Sequence, residues 1–460
     1  MEMPHFTTER TSEAPPMTAR QRLVAVLLLG ANFMLSADFS ILNVALPDVG
    51  RAVGLTVSQY PWIATSFALP AAGLSLLFGR LGDLYGLRRM FLVGLALLTV
   101  SSFLGGVATG PILLLSARVL QGIATAMTGP AGLALLITAF DDERQRARVL
   151  GLNGALLSGG FTFGALAGGM LVDVLSWRWA FFINVPIALA ILILTPFVVP
   201  DSRSRDGLRL DIPGALSGTI GLVALVFGFT EQSWSALAIG VATLVLFFRI
   251  ERRAPMPLVA IEMLSWPQVR WGNVAVLTIF SMEAGLIYLV TLYLQETLHL
   301  GPFATGLVFG IPGTASIVAG VLAGRTIARR GARRVLLLAL LVQGGLTAPL
   351  IFLGSDTLYM GLLVPALFIG FFGHITAVVA ASVIATSGIP EASKGLASGL
   401  MTTSQRVGST VDIPALAAVM TMRADLLGGI HAALVADVLL TAVAVVLIAF
   451  GLKQRWPATG

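Results

Sequence analysis

Long apolar runs, separated by short polar segments, recur along the whole chain of 460 residues. Each run approaches the ~20 residues that a helix needs to cross the apolar layer of a bilayer. The weak alternation of polar and apolar positions argues against a membrane barrel. The pattern therefore predicts an all-α membrane protein with 14 transmembrane helices, numbered 1 to 14, at about 23–46, 58–79, 90–108, 112–138, 148–172, 179–199, 212–231, 235–250, 272–295, 303–324, 335–354, 358–386, 395–420 and 430–452.

Composition supports this prediction and excludes several kinds of chemistry. The chain is 56% hydrophobic and only 11% charged, which is too little charge for a soluble domain of this size. Cysteine is absent, so disulfides and thiolate sites are excluded. No histidine pair has metal-binding spacing and no phosphate-binding Gly-x4-Gly-Lys-Ser/Thr occurs. We expect neither an enzyme nor an ATP-driven pump, with no catalytic residue, metal or other cofactor.

The distribution of the 29 lysines and arginines indicates the membrane topology and not a surface that binds nucleic acid. All but five lie in the terminal tails and in alternate loops. The exceptions are Arg51, Arg118, Arg178, Arg406 and Arg423. Because basic residues mark cytoplasmic loops, both ends are predicted to be cytoplasmic and the number of helices even. The 22 residues at the start are polar and do not resemble a signal peptide.

A basic, glycine-rich loop follows predicted helix 2 and returns in the second half of the chain. Its first copy contains Gly79, Arg80, Asp83, Gly86, Arg88 and Arg89. The second copy, between 324 and 334, keeps the spacing Gly-Arg-x5-Gly-x-Arg-Arg. Duplicated halves are how many transporters build a site at the bilayer midplane.

The loop resembles the signature between helices 2 and 3 of the major facilitator superfamily. The repeat divides the chain into a tail (1–22), a six-helix bundle (23–199), a linker with two additional helices (200–271), a second six-helix bundle (272–452) and a tail (453–460). A plan of six, two and six helices resembles the 14-helix drug:proton antiporter family, whose fold implies a monomer. The resemblance also implies that the loop acts as a conformational latch, in which Asp83 stabilises the outward-facing state.

Predicted helix 5 carries five glycines, which we call the glycine ladder: Gly151, Gly160, Gly164, Gly168 and Gly169. The ladder resembles the antiporter signature, with Ala165 at the position of its proline. Glycines let helices approach closely. The resemblance favours export over uptake.

Asp38 in predicted helix 1 and Arg118 in predicted helix 4 are candidates for proton coupling. Counted at 1.5 Å per residue, Asp38 lies roughly 12 Å and Arg118 roughly 9 Å from the outer face. We expect both to face one central cavity, where neighbouring charge and burial decide whether Asp38 is ionised. The open alternative is a purely structural buried ion pair. Asn43 and Gln121 are nearby candidates for the substrate cavity.

The second half carries its own embedded polar residues. Glu283 in helix 9, the repeat partner of helix 1, is the proton-coupling candidate and is expected to lie across one cavity from Asp38. His374, Arg406 and Asp412 are candidates for the substrate cavity. His374 relays protons or is a hydrogen-bonded helix contact. Asp412, where the family has Gly, is either specific to the substrate or a partner of Arg406.

Together these features predict a secondary active transporter that exchanges protons for hydrophobic drugs or antibiotics, cationic ones included, by alternating access. The alternative is a proton-coupled symporter that imports a small organic molecule. The expected location is the bacterial inner membrane, and the expected partners are a small substrate and lipid, with no nucleic acid. Substrate identity is open between self-resistance and general multidrug efflux.

Overall fold

The computed structural model of the chain describes residues 17–140, 142–200, 211–254, 257–259, 261–390 and 394–452, and within them every regular element is helical. We number the helices α1 to α14; α2 and α6 each consist of two segments. The first half contains α1 Ala19–Ala52, α2 Pro61–Gly73 and Ser75–Tyr85, α3 Leu87–Gly106, α4 Pro111–Thr138, α5 Glu143–Val174, and α6 Trp179–Phe182 and Asn184–Val198. The remaining helices are α7 Ile212–Thr230, α8 Trp234–Glu251, α9 Pro267–Leu292, α10 Pro302–Arg330, α11 Ala332–Thr347, α12 Met360–Thr386, α13 Lys394–Met420 and α14 Leu426–Gly451.

The predicted all-α membrane fold is confirmed. Twelve helices of the described residues are long and apolar enough to cross a membrane, and the bent α2 brings the number to 13. The helix outside this set is α13, which has 27 residues but carries Arg406 and Asp412 in a stretch rich in Ser and Thr. Length and composition alone thus support twelve or thirteen of the fourteen predicted spans.

Two helices that the apolar pattern predicts as continuous are broken. The two parts of α2 meet at Leu74 with a bend of 49°. Pro70 and Gly73 lie just before this bend, and a proline inside a helix removes one backbone hydrogen bond and bends the axis. The other break, in α6, is at Ile183. In contrast α5, which has Ala165 in place of the signature proline, runs unbroken.

Each half has its own packing partners. In the first half α1 packs along α5, and α4 packs against α2 and α3. In the second half α9 packs along α13, and α12 against α10 and α11. The linker helix α7 contacts both α2 and α13, and α8 packs on α7. The linker pair therefore covers the junction between α2 and α13, a position for which the sequence gives no indication.

The two halves meet most extensively where α5 packs against α10. We call the face with the arginine-rich loops, such as that joining α2 to α3, the basic face, and the other the opposite face. A Cβ atom on Gly310 would meet the side chain of Leu166, and the backbone N–H of Phe303 donates to Asp173 Oδ2 at 3.1 Å. These contacts lie in the part of α5 near the opposite face.

Two polar contacts on the opposite face join α1 to the helical turn Tyr293–Thr297 that directly follows α9. Arg51 Nη1 lies 2.9 Å from Glu296 Oε1, and Gln295 Nε2 donates to the backbone oxygen of Val44 at 2.7 Å. Around them, apolar residues of α1, α2 and α9 form one buried cluster. The opposite face is therefore closed.

Near the basic face, α5 is packed less closely against its neighbours than it is near the opposite face. A Cβ atom built on Gly151 or Gly154 would have no neighbour within 4 Å, and the same holds for Gly324 near the end of α10. The contacts between α5 and α10 thus diminish toward the basic face.

Candidate functional site

Arg118 is the centre of a buried polar cluster in the first half. Its side chain is 2% exposed. The Nε atom donates to the backbone oxygen of Ile63 at 3.1 Å, and Nη1 donates to Gln121 Oε1 at 2.9 Å. Its guanidinium carbon lies 4.3 Å from the ring centroid of Phe67. Two residues of the first α2 segment, Ile63 and Phe67, and the Gln121 side chain therefore fix the orientation of the guanidinium.

Asp38 lies next to this arginine. Its Oδ2 atom is 3.9 Å from Arg118 Nη1 and accepts no hydrogen bond from a described residue. Its Oδ1 atom accepts a hydrogen bond from the amide of Asn184 at the start of the second α6 segment. With Asp38 also 2% exposed, the pair is sealed inside the first half. The expectation that both side chains face a central cavity is therefore wrong for this conformation.

The two cavity candidates of the first half have local partners. Gln121 is fully buried, and its Nε2 atom donates to Ser102 Oγ on α3 at 3.0 Å. Asn43 Nδ2 donates to the backbone oxygen of Phe39, one turn earlier in α1, at 3.1 Å. Both side chains therefore support the packing of the first half in this conformation.

Glu283 pairs with His374 in the second half. Glu283 Oε1 lies 3.3 Å from His374 Nε2, and the Glu283 side chain is 22% exposed. His374 Nδ1 lies 3.4 Å from Gln343 Nε2, and the ring of Phe280 meets the imidazole edge-on at 5.4 Å between centroids. The structure thus joins two residues that the sequence predicts separately.

A narrow cavity adjoins this pair. Its walls come from α9, from α11 with the turn that follows, and from α12, and Glu283, Gln343 and His374 are its polar members. Asp38 is not among the lining residues. The expectation that Glu283 and Asp38 lie across one cavity is therefore wrong here, because Asp38 is sealed within the first half whereas Glu283 lines a cavity of the second half.

Asp412 does not pair with Arg406. Its Oδ1 atom accepts a hydrogen bond from Ser281 Oγ on α9 at 2.7 Å, and its Oδ2 atom has no donor among the described residues. Its electrostatic neighbour is Asp437 on α14, which is also buried. The alternative that made Asp412 a partner of Arg406 is wrong, because Asp412 turns toward α9 and α14.

Arg406 reaches from the second half to the first. Its Nη1 atom donates to the backbone oxygen of Ala71 on α2 at 3.2 Å. A Cβ atom on Gly129 of α4 would lie 3.7 Å from its Nη2 atom. The structure therefore places the Arg406 side chain between the halves.

The repeated basic loop forms a sharp turn in both copies. Gly86 has a φ of 102° and Gly331 a φ of 80°, a region that favours glycine. Arg80 donates to the backbone oxygen of Pro257 at 3.3 Å, and Arg88 donates to that of Val199 at 3.0 Å. Asp83 makes no hydrogen bond or ion pair within the described part of the chain. Its predicted latch contacts are therefore not formed in this conformation.

The glycines of α5 serve two partners. Gly160, Gly164 and Gly168 lie against the backbone or side chains of α1, and Gly169 lies against the start of α10. Gly151 contacts neither. Four of the five ladder positions therefore allow close helix packing.

Sequence reasoning missed Asn184 as the hydrogen-bond partner of Asp38. A depth count could have found it, because Asn184 lies five residues into predicted helix 6 from the same face as Asp38. Ser281 and Gln343 were also missed, and no signal separates them from other polar residues in these helices.

Comparison with known proteins identifies relatives over most of the chain. A family profile for the Major Facilitator Superfamily matches residues 28–411. The puromycin resistance protein pur8 of Streptomyces alboniger is 35% identical over 409 residues, which cover 86% of this chain and 81% of that protein. The cephamycin export protein CmcT of Amycolatopsis lactamdurans is 34% identical over 427 residues, covering 89% and 86%.

The fold also matches a solved structure. The crystal structure of a bacterial homologue of the human lysosomal transporter Spinster, in an inward-facing and unoccupied conformation, superposes with a TM-score of 0.66. The match covers 96% of this chain and 100% of that chain at 15% identity, so it shows the shared fold.

Proposed function

The chain belongs to the major facilitator superfamily, and we propose that it exports hydrophobic antibiotics or drugs in exchange for protons. The observation that carries this proposal is the similarity to proteins named for puromycin resistance and cephamycin export over more than four fifths of each chain. The alternative, proton-coupled uptake, is not favoured because both relatives are named for resistance or export. We assign no catalytic residue and no cofactor.

Proton binding is assigned to Asp38 and Glu283. A charge inside a bilayer is costly unless it is paired, and each acid has a basic partner, Arg118 at 3.9 Å or His374 at 3.3 Å. A proton that arrives on either carboxylate cancels its charge and weakens its attraction to that partner. Such a local change shifts an equilibrium between two conformations if it favours one of them.

Alternating access follows from the asymmetric contact between the halves. We propose that the basic face is cytosolic, so the described conformation is closed to the outside and loosened toward the cytosol. Opening to the outside must break the packing of α5 on α10 and the ion pair of Arg51 with Glu296. In that state the basic loops close, and we propose that Asp83 then acquires its latch contacts.

The proton gradient is the proposed energy source. A charge that moves through 100 mV releases about 2.3 kcal/mol, so one proton per substrate supports a concentration ratio of roughly fifty. We propose that the transporter works as a monomer in the bacterial cytoplasmic membrane, with both ends in the cytosol and lipid as its only permanent partner.

Expression in a drug-sensitive bacterium tests this function. Cells that contain the protein are expected to tolerate more of at least one antibiotic in a panel that includes puromycin and a cephamycin, and to accumulate less of it. Because export needs the proton gradient, an uncoupler should restore accumulation. Unchanged accumulation across the whole panel, or export that persists after the gradient has collapsed, would contradict the proposal.

A further inference from the structure

Arg406 lies near the middle of the membrane at the junction of the two halves. It is 12 residues from the start of α13, or about 18 Å along the helix axis. Its contact with the Ala71 backbone oxygen crosses from the second half to the first. Its side chain is therefore positioned where the halves move against each other.

No acidic side chain neutralises this arginine in the described part of the chain. The other arginine embedded in a helix, Arg118, has Asp38 at 3.9 Å. Neither α7 nor the first segment of α2, both of which contact α13, contains an ionisable Asp, Glu, His, Lys or Arg residue.

The acids on the other neighbouring helices are already engaged. Glu283 on α9 pairs with His374 on α12, and Asp437 on α14 lies beside Asp412. Asp412 itself is bonded to Ser281. Arg270 on α9 lies over the ring of Trp271, and His431 on α14 contacts the backbone oxygen of Leu353.

Most N–H groups of Arg406 remain available. Its one hydrogen bond to a described residue uses Nη1, and no atom of its guanidinium is among the buried, unsatisfied side-chain atoms. The side chain is only partly buried. Its Nε and Nη2 atoms, which lack a partner, therefore face accessible space between the halves.

A positive charge without a neutralising partner in this position would be stabilised by a bound anion. Charged residues within membrane-spanning segments mark substrate pathways when they face a cavity. The planar guanidinium fits a carboxylate with two parallel hydrogen bonds. A cationic molecule would instead add repulsion at Arg406.

Building on the proposed export function, we infer that Arg406 binds an acidic group of the substrate, and that the transporter prefers hydrophobic molecules carrying a carboxylate. The apolar part of such a molecule would lie against the partly buried Val407 and Val411 of α13, which pack beside the buried Leu69 where α2, α7 and α13 meet. Arg406 is then the residue that selects substrates by charge.

The inference is tested by measuring how tightly N-dansyl amino acids and their methyl esters bind to the purified protein in lipid nanodiscs. Each pair shares its apolar body and differs in the carboxylate. Wild-type protein is expected to bind at least one acid more tightly than its ester. Arg406→Gln should weaken binding of that acid about 10- to 100-fold, the effect of one charge-assisted contact, and leave the ester unchanged.

Two further variants distinguish the effect of the charge at position 406 from a general structural effect of substitution. Arg406→Lys keeps the charge and should retain part of the preference for the acid. Arg330→Gln, which removes an exposed arginine at the end of α10, should leave the preference intact. The inference is overturned if no acid binds better than its ester, or if Arg406→Gln weakens acid and ester equally. Drug export in cells that persists alongside such a result would leave the proposed function standing.

Discussion

At the scale of single residues, the two carboxylate oxygens of Asp38 have different surroundings. One carboxylate oxygen is held by the Asn184 amide, and the other faces Arg118 without a hydrogen bond. Under the proposed function, the oxygen without a donor is where we expect the proton to bind, because a protonated carboxyl would supply its own O–H group. Arg118 would then compensate the charge when that proton leaves.

Replacement of Asn184 with leucine is expected to destabilise the first half. Leucine is similar in size to asparagine, but it cannot donate a hydrogen bond to the buried Asp38. The loss of this donor should lower the free energy of unfolding by about 1–3 kcal/mol. Asn43→Leu is the matched control, because Asn43 bonds only to its own helix. Thermal unfolding in detergent should show a lower midpoint for Asn184→Leu than for Asn43→Leu; equal midpoints would mean that Asn184 does not hold Asp38.

Depth along a helix is predictable from sequence, whereas rotation about its axis is not. Counting residues from the ends of the apolar runs put Asp38 and Arg118 at similar depth, and the structure brings them together. The same counting could not tell that Asp412 turns toward Ser281 rather than toward Arg406. Which neighbour a side chain meets depends on the packing of several helices at once.

At the scale of elements, α5 is the helix on which both halves depend. One side of its glycine ladder receives α1, and the part nearest the opposite face receives α10. Small residues permit such close approach in membranes, where apolar burial does not drive helices together. The ladder was visible in the sequence, but its division between two partners was not.

A matched pair of glycine substitutions tests this packing. A Cβ atom on Gly164 would lie 2.8 Å from Ala37 Cα and 2.9 Å from Ser40 Cβ, whereas one on Gly151 would meet nothing within 4 Å. Gly164→Ala should therefore cost about 1–3 kcal/mol of stability through overpacking. Gly151→Ala should be neutral or slightly stabilising, because alanine is the better helix former. If the two variants unfold at the same temperature, close packing of α1 on α5 is not a source of stability.

At the scale of the whole molecule, the repeat in the sequence predicts two related halves but not their relative position. The basic loop and its copy share one spacing, and both copies adopt the same turn at Gly86 and Gly331. A transporter must populate at least two arrangements of its halves, so one sequence must be compatible with each of these arrangements. The contacts of Arg51 with Glu296 and of α5 with α10 identify the arrangement described here as closed at the opposite face.

The pH inside proteoliposomes, recorded while substrate enters, tests the central claim most directly. Vesicles contain the protein and a pH-sensitive dye, and an antibiotic to which the protein confers resistance is added outside without an imposed gradient. Because each inward movement of substrate must send protons out, the account predicts a rise in internal pH with the wild-type protein and none with Asp38→Asn. An internal pH that stays constant or falls while substrate enters would contradict it.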